Sequence, residues 1–219
     1  MARSRSKLKA DARLILKAAK QATPRTRTPW DTPLKPAVGN PNKDQIFRTV
    51  GAALDQWEFA EQAFADIFVM MVEGWQDWPS SHPALRAYGA VTSFSSRADM
   101  IEEAAKGFFH ETPDPKAEEL FKSAIRAMRG FSGRRNDIAH GRVTFLDDTG
   151  YYLCPGLFAS RKNPIRGPAT YAYSSKEINY LNNCFNFLEQ HLRGVEIAIY
   201  EAQQAAIARK TSSASDSAE

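Results

Sequence analysis

The chain has no apolar run near the ~20 residues that a membrane-spanning helix needs, which excludes an integral membrane helix. It has only two cysteines, Cys154 and Cys184, among 219 residues, too few for a disulfide-dense secreted scaffold. It also lacks an apolar signal segment, and together these shortages point to a reducing, cytoplasmic setting. Histidine is scarce as well, with four in all. His82, His110 and His191 form no i, i+4 set with another His, Cys or carboxylate of the kind that holds zinc, so no metal is expected. There is no G-x-x-x-x-G-K-[ST] loop, no G-x-G-x-x-G turn and no setting for a Ser or Cys nucleophile. Nucleotide-cofactor enzymes and hydrolases of those classes are therefore not expected, nor is a cofactor.

Acidic residues are missing from one end. Residues 1–40 hold ten Lys and Arg, among them Arg3, Arg5, Lys7 and Lys9, against Asp11 and Asp31, a net +8. The remainder has 19 basic and 23 acidic residues, so the net +4 of the chain hides a mildly acidic body. A basic arm of this kind attracts polyanions, because each cation placed near a phosphate releases condensed counterions. A solubilising tether and an organelle transit peptide are the other readings of Met1–Ala22. Pro24, Pro29, Pro33, Pro36 and Pro41 then forbid helix and predict an extended linker. The domain plan is a flexible basic, Pro-rich arm over 1–41, a helical domain over 42–209, and a disordered Ser/Ala tail over 210–219.

Four segments of the body show a 4-3 apolar rhythm. The first runs through Val50, Leu54, Trp57, Glu61, Phe64, Phe68 and Met71, behind a cap at Asn42 or Asp44. The second is Ala84, Ala87, Val91, Phe94, Ala98, Ile101, Ala105 and Phe108, read as one helix opening behind Pro83. The third is Ala117, Phe121, Ala124, Met128, Phe131, Arg135 and Ile138, behind Pro115 and ending near Gly141. The fourth is Ile178, Leu181, Phe185, Leu188, Leu192, Val195 and Ile199, capped by Ser174 or Ser175 with Glu177 in the first turn. Four long helices with one apolar stripe each bury those stripes against one another, and the fold class is all-α, a helical bundle. Before the last helix, residues 143–146 and 151–154 alternate as two short strands around Asp147–Gly150, with residues 170–173 as a further strand. This small β-flap carries a loop with Arg161, Lys162 and Arg166, a second contact for phosphate or an ordinary solvated loop.

Glu61 and Arg135 are the wrong chemistry for apolar stripes. A lone buried charge is costly, so the expectation is that each pairs with the other. The alternatives are that both reach solvent at the bundle end, or that Gly130 and Gly133 break the phase before Arg135.

The third helix ends in Arg134-Arg135-Asn136-Asp137-Ile138-Ala139-His140-Gly141. This R-N-x-x-x-H-G resembles the R-x4-H motif of HEPN domains (higher eukaryotes and prokaryotes nucleotide-binding). Trp57 to Glu61 resembles the W-x-x-x-E of bacterial HEPN-like proteins, and Ser93-Phe94-Ser95-Ser96-Arg97 resembles their S-F-S-x-[KR] stretch. The resemblance covers roughly residues 44–205. It implies a HEPN-like bundle and, in active members, a homodimer with two motifs facing one cleft. It also implies metal-independent cleavage of RNA and service in toxin–antitoxin or anti-phage defence, where an antitoxin or other protein partner is expected.

The residue chemistry fits such a reaction independently of the resemblance. Cleavage at a 2′-hydroxyl needs a base, for which histidine has the right unperturbed pKa, and a cation for the phosphate, for which arginine is permanently charged and bidentate. His140 is the expected general base or acid and Arg135 the phosphate stabiliser, with Asn136 and Glu61 in support. Arg134, Arg129 and Arg126 are further candidates for nucleic-acid contact. On a helical wheel Asn136 lies about 40° from His140 and Arg135 about 140°, so Arg135 must bend towards His140 or act across a subunit interface. Two other readings stay open. His140 beside Gly141 can cap the helix C-terminus while Arg134 and Arg135 satisfy carbonyls or Asp137. The whole chain can equally be a non-catalytic helical module that dimerises and binds a nucleic acid or protein.

Overall fold

The computed structural model describes residues 28–74, 83–146, 148–156 and 171–216. The loop residues Arg161, Lys162 and Arg166 and the arm residues Arg3, Arg5, Lys7 and Lys9 lie outside them. Among the described residues, five helices and one hairpin follow in order: α1 (Lys43–Glu73), α2 (Pro83–Ala90), α3 (Phe94–Glu111), α4 (Pro115–His140), β1 (Arg142–Leu146), β2 (Gly150–Cys154) and α5 (Ser175–Asp216). None of the described helices is long and apolar enough to cross a membrane.

Local chemistry sets the helix ends. The Asn42 side chain accepts from the Asp44 amide to open α1, and Gly74, at φ 77°, closes it with its N–H on the Met70 carbonyl. The Asp114 carboxylate accepts from the Lys116 and Ala117 amides ahead of Pro115, which occupies the first turn of α4 where a missing N–H costs nothing. Ser174 starts α5 with Glu177 reaching back to its amide, a reciprocal cap.

The second apolar segment is two helices rather than one. The Ser93 hydroxyl accepts from the Ser96 amide at 3.0 Å and starts a new helix there. The carbonyl of Val91, freed from any helical partner, takes the Nε–H of Arg97 at 2.7 Å. A strong N-cap overrides the apolar rhythm that runs through it. The last helix also outruns expectation, continuing through Asp216 into the segment assigned to the tail.

The core is aromatic where the helices meet. Fully buried Phe185 of α5 takes Trp57 of α1 edge-on at 5.2 Å and Phe131 of α4 at 5.7 Å, while Trp57 also meets Phe94 of α3 at 5.7 Å. The whole apolar stripe predicted for the last helix is buried. The first stripe is only partly right, since α1 is buried almost all round from Ala63 to Met70 whereas Val50 and Leu54 are half-exposed.

β1 and β2 pair antiparallel in the register Arg142↔Cys154 to Leu146↔Gly150. The other edge of β2 is also occupied. Asn40 exchanges backbone hydrogen bonds with Tyr151, and Tyr173 does the same with Leu153. Asn40 belongs to the segment assigned to the flexible linker, yet it is buried, and its side chain joins Gln45 and Ser175. The prolines forbid helix there, as expected. What they leave is a strand-like strap that satisfies an otherwise open edge.

Candidate functional site

The last turn of α4 carries the R-N-x-x-x-H-G segment, and its surroundings fix its course. Gly141 leaves the helix at φ −69°, in extended backbone that any residue adopts, so it is no left-handed cap. Glycine is needed there for room: a Cβ would lie 2.6 Å from the Asp137 carbonyl and 2.7 Å from the Leu153 side chain. Gly156, just past β2, packs its bare Cα face against the carbonyl of His140. His140 is thus the last helical residue, its backbone held between the hairpin and the helix while its side chain stays exposed.

Asn136 is exposed on the same turn, and Arg135 is half-buried. The Arg135 guanidinium does not meet Glu61. It bends along its own helix to place Nη1 3.3 Å from the Oδ1 of Asn136, with the exposed Glu58 carboxylate 3.7 Å from Nη2. The pairing of Glu61 with Arg135 is therefore corrected. The α4 helix passes α1 at the level of Glu58, while Glu61, one turn further along, faces the start of α3. There its Oε1 accepts from Arg97 at 3.3 Å, with the Glu61 side chain only 12 % exposed. Glu61 is consequently no direct neighbour of the α4 motif, and its contact with Arg97 is structural in kind.

The two upstream fragments that carry the resemblance lie against each other. Trp57 packs on Phe94, Glu61 pairs with Arg97, and the Arg97 guanidinium sits 5.1 Å over the ring of Tyr88 from α2. Burial raises the Tyr88 hydroxyl well above the ordinary tyrosine pKa, and the nearby Glu61 carboxylate raises it further.

Beneath the motif lies a polar cluster that the sequence pattern conceals. Asp137 is 1 % exposed. One of its carboxylate oxygens accepts from the Tyr171 hydroxyl at 3.0 Å and the other from the Tyr173 hydroxyl at 2.8 Å, with Arg134 Nη1 at 3.1 Å. The Arg134 guanidinium also lies 5.7 Å over the Tyr171 ring and donates to the Tyr173 hydroxyl. Desolvation raises the Asp137 pKa from its ordinary value, and Arg134 and the two hydroxyls oppose that rise without cancelling it. The Arg134–Asp137 spacing was the available signal. An i, i+3 ion pair is ordinarily a surface feature, however, and its tyrosine partners come from more than thirty residues away.

The remaining candidates divide. Arg126 is exposed. Arg129 is held by Asp99 at 2.6 Å and Glu102 at 2.9 Å, so its charge is already countered within the fold. Arg134 faces inward. Among the described residues no group of three or more His, Cys, Asp or Glu is placed to hold a metal ion. The chain matches no family model, no curated protein and no solved structure.

Proposed function

We propose that the chain is a metal-independent endoribonuclease of HEPN type, acting on single-stranded RNA through the last turn of α4. The observation that carries this reading is an exposed His140 on the same last turn as an exposed Asn136, whose Oδ1 lies 3.3 Å from the Arg135 guanidinium. His140 takes the 2′-hydroxyl proton and later returns one to the leaving 5′-oxygen. Arg135, oriented by Asn136, neutralises charge on the phosphate as the 2′-oxygen attacks. The products are a 2′,3′-cyclic phosphate and a 5′-hydroxyl. Glu58, exposed and 3.7 Å from Arg135, is displaced from the guanidinium as phosphate binds. The setting is that of a cytoplasmic homodimer in which two such turns share a cleft, neutralised by an antitoxin or another protein partner.

The test is incubation of the full chain with labelled single-stranded RNA in excess EDTA. Cleavage that leaves cyclic-phosphate ends, and is lost in His140→Ala, supports the reading. Intact RNA at every pH between 6 and 9 would overturn it. A second reading is a non-catalytic module that binds RNA through other cations, since carboxylates already face Arg129 and Arg135. It predicts saturable RNA binding with no cleavage in the same assay.

A further inference from the structure

The residues that would do chemistry in this site are not the residues that hold it in place. A helix C-terminus leaves its last carbonyls without intrahelical partners and tends to fray. His140 is the final residue of α4, so its direction is only as definite as that last turn. On the helical wheel Asp137 lies about 60° from His140 and 100° from Asn136. Fixing Asp137 therefore fixes the directions of Asn136 and His140, both exposed, along with it. Three donors converge on that one carboxylate, two of them hydroxyls from the segment that bridges β2 through Tyr173. Arg134 keeps part of its side chain, 14 %, open to solvent. Tyr171, Tyr173 and Asp137 are all buried.

We propose that Asp137, clamped by Tyr171 and Tyr173, is the positioning residue of the α4 site, fixing the rotation of the last turn so that Arg135, Asn136 and His140 are presented in one orientation. This rests on the ribonuclease reading for its consequence, while its geometry stands apart from it. The clamp acts through direction rather than contact: neither hydroxyl nor carboxylate touches the RNA. A residue acting in this way changes the rate of the chemical step and leaves binding of the substrate nearly untouched.

The experiment uses the full chain as wild type, Asp137→Asn, and the double variant Tyr171→Phe with Tyr173→Phe, which removes both hydroxyls and keeps both rings. Two readouts are taken on each: kcat and KM on a labelled single-stranded RNA with EDTA present, and amide hydrogen exchange resolved along the chain. The expected result is at least a tenfold fall in kcat with KM within about twofold. Exchange should be at least tenfold faster in residues 136–141 and unchanged in α1 and α5. Wild-type kcat with wild-type exchange in the variants would overturn the proposal. So would a loss carried by KM alone, or exchange that rises equally in all helices, since the cluster would then support the fold in general. If the wild type itself cleaves nothing, the ribonuclease reading is what fails. Exchange confined to residues 136–141 then still supports the clamp, and unchanged exchange there overturns it.

Discussion

Glu61 and Arg97, 36 residues apart in the chain, meet at 3.3 Å across the α1–α3 interface. Arg97 uses its Nε–H on the carbonyl of Val91 at the same time. One guanidinium thus joins the first long helix to the point where α2 ends. Glu61 tolerates its inward position because Arg97 arrives there, while Arg135 is occupied a turn away.

A double-mutant cycle reads this arrangement directly. Glu61→Ala leaves Arg97 largely buried beside a vacancy and should destabilise the fold by about 1–3 kcal/mol, short of the ~3–5 kcal/mol of a fully buried pair because Arg97 keeps some solvent. Glu61→Ala and Arg97→Ala should couple strongly in urea unfolding. Glu61→Ala and Arg135→Ala should add to within ~0.5 kcal/mol. Strong coupling of Glu61 to Arg135 instead would contradict the placement described here.

Exposure makes the motif variants clean. His140→Ala should abolish RNA cleavage, by a factor on the order of 10²–10⁴, while changing stability by no more than ~0.5 kcal/mol. Arg135→Ala should do the same to cleavage at a somewhat larger structural cost, since its side chain is half-buried. Circular dichroism and thermal melting alongside the cleavage assay separate the two effects. A fully active His140→Ala protein would end the catalytic reading.

Truncation should show two steps. Removing residues 1–31 takes most of the basic charge and none of the contacts of Asn40. Melting should stay close to that of the full chain, while RNA affinity falls and its salt dependence flattens. Extending the deletion through residue 41 removes a residue that gives two backbone hydrogen bonds to Tyr151 and side-chain bonds to Gln45 and Ser175. That second cut should cost at least ~2 kcal/mol. Equal melting temperatures for the two deletions would show that the strap contributes nothing.

Gly141→Ala tests the close approach at the end of α4. Its Cβ would meet the Asp137 carbonyl at 2.6 Å and Leu153 at 2.7 Å, and only the leucine has room to yield. The expected loss is about 1–3 kcal/mol by overpacking. Cleavage should fall further than stability does, because the strain sits one residue from His140.

The Asp137 pKa has a stability consequence with a definite sign. Burial raises it above the ordinary value of 3.8, so the folded chain binds this proton more readily than the unfolded chain. Its contribution is fully favourable below pH 3.8 and is lost as pH rises through the raised folded value. Asp137→Asn has no such proton. Its stability relative to wild type should therefore improve across that window as pH rises, as measured by urea unfolding at closely spaced pH values. A gap that widens in the opposite direction would mean the carboxylate is held ionised.

How much of this was legible beforehand follows the range of the forces involved. The last helix was readable along its buried stripe, since Ile178 to Ile199 repeat with the helical period and every member is buried, though not in its extension past residue 209. The hairpin was readable too, from alternation around a turn whose Asp148 and Gly150 both take positive φ. The break before Ser93 was not, because apolar periodicity continued through it and the deciding group was one serine hydroxyl. Of the site, Arg135, Asn136 and His140 were visible as a motif. The pairing of Arg134 with Asp137 stood among the open alternatives, but Tyr171 and Tyr173 did not, because only the fold brings them to that carboxylate. Asn40 was hidden for the same reason, its partner Ser175 lying 135 residues away.

Contacts between α1 and α5 advance in step, from Trp57 on Phe185 through Asp66 on Arg193 to Met70 on Gln203, so the two helices run parallel. Gln203 follows Met70 by 133 residues. At about 5–20 residues per second, the ribosome makes α1 roughly 7–27 s before the matching stretch of α5 exists. Through that interval the Ala63–Met70 stretch of α1, which ends up buried almost all round, has no permanent cover. Newly made chains are consequently most exposed to aggregation and chaperone capture before their final helix emerges, and a stop codon ahead of residue 175 should leave a product that is degraded rather than a smaller working domain.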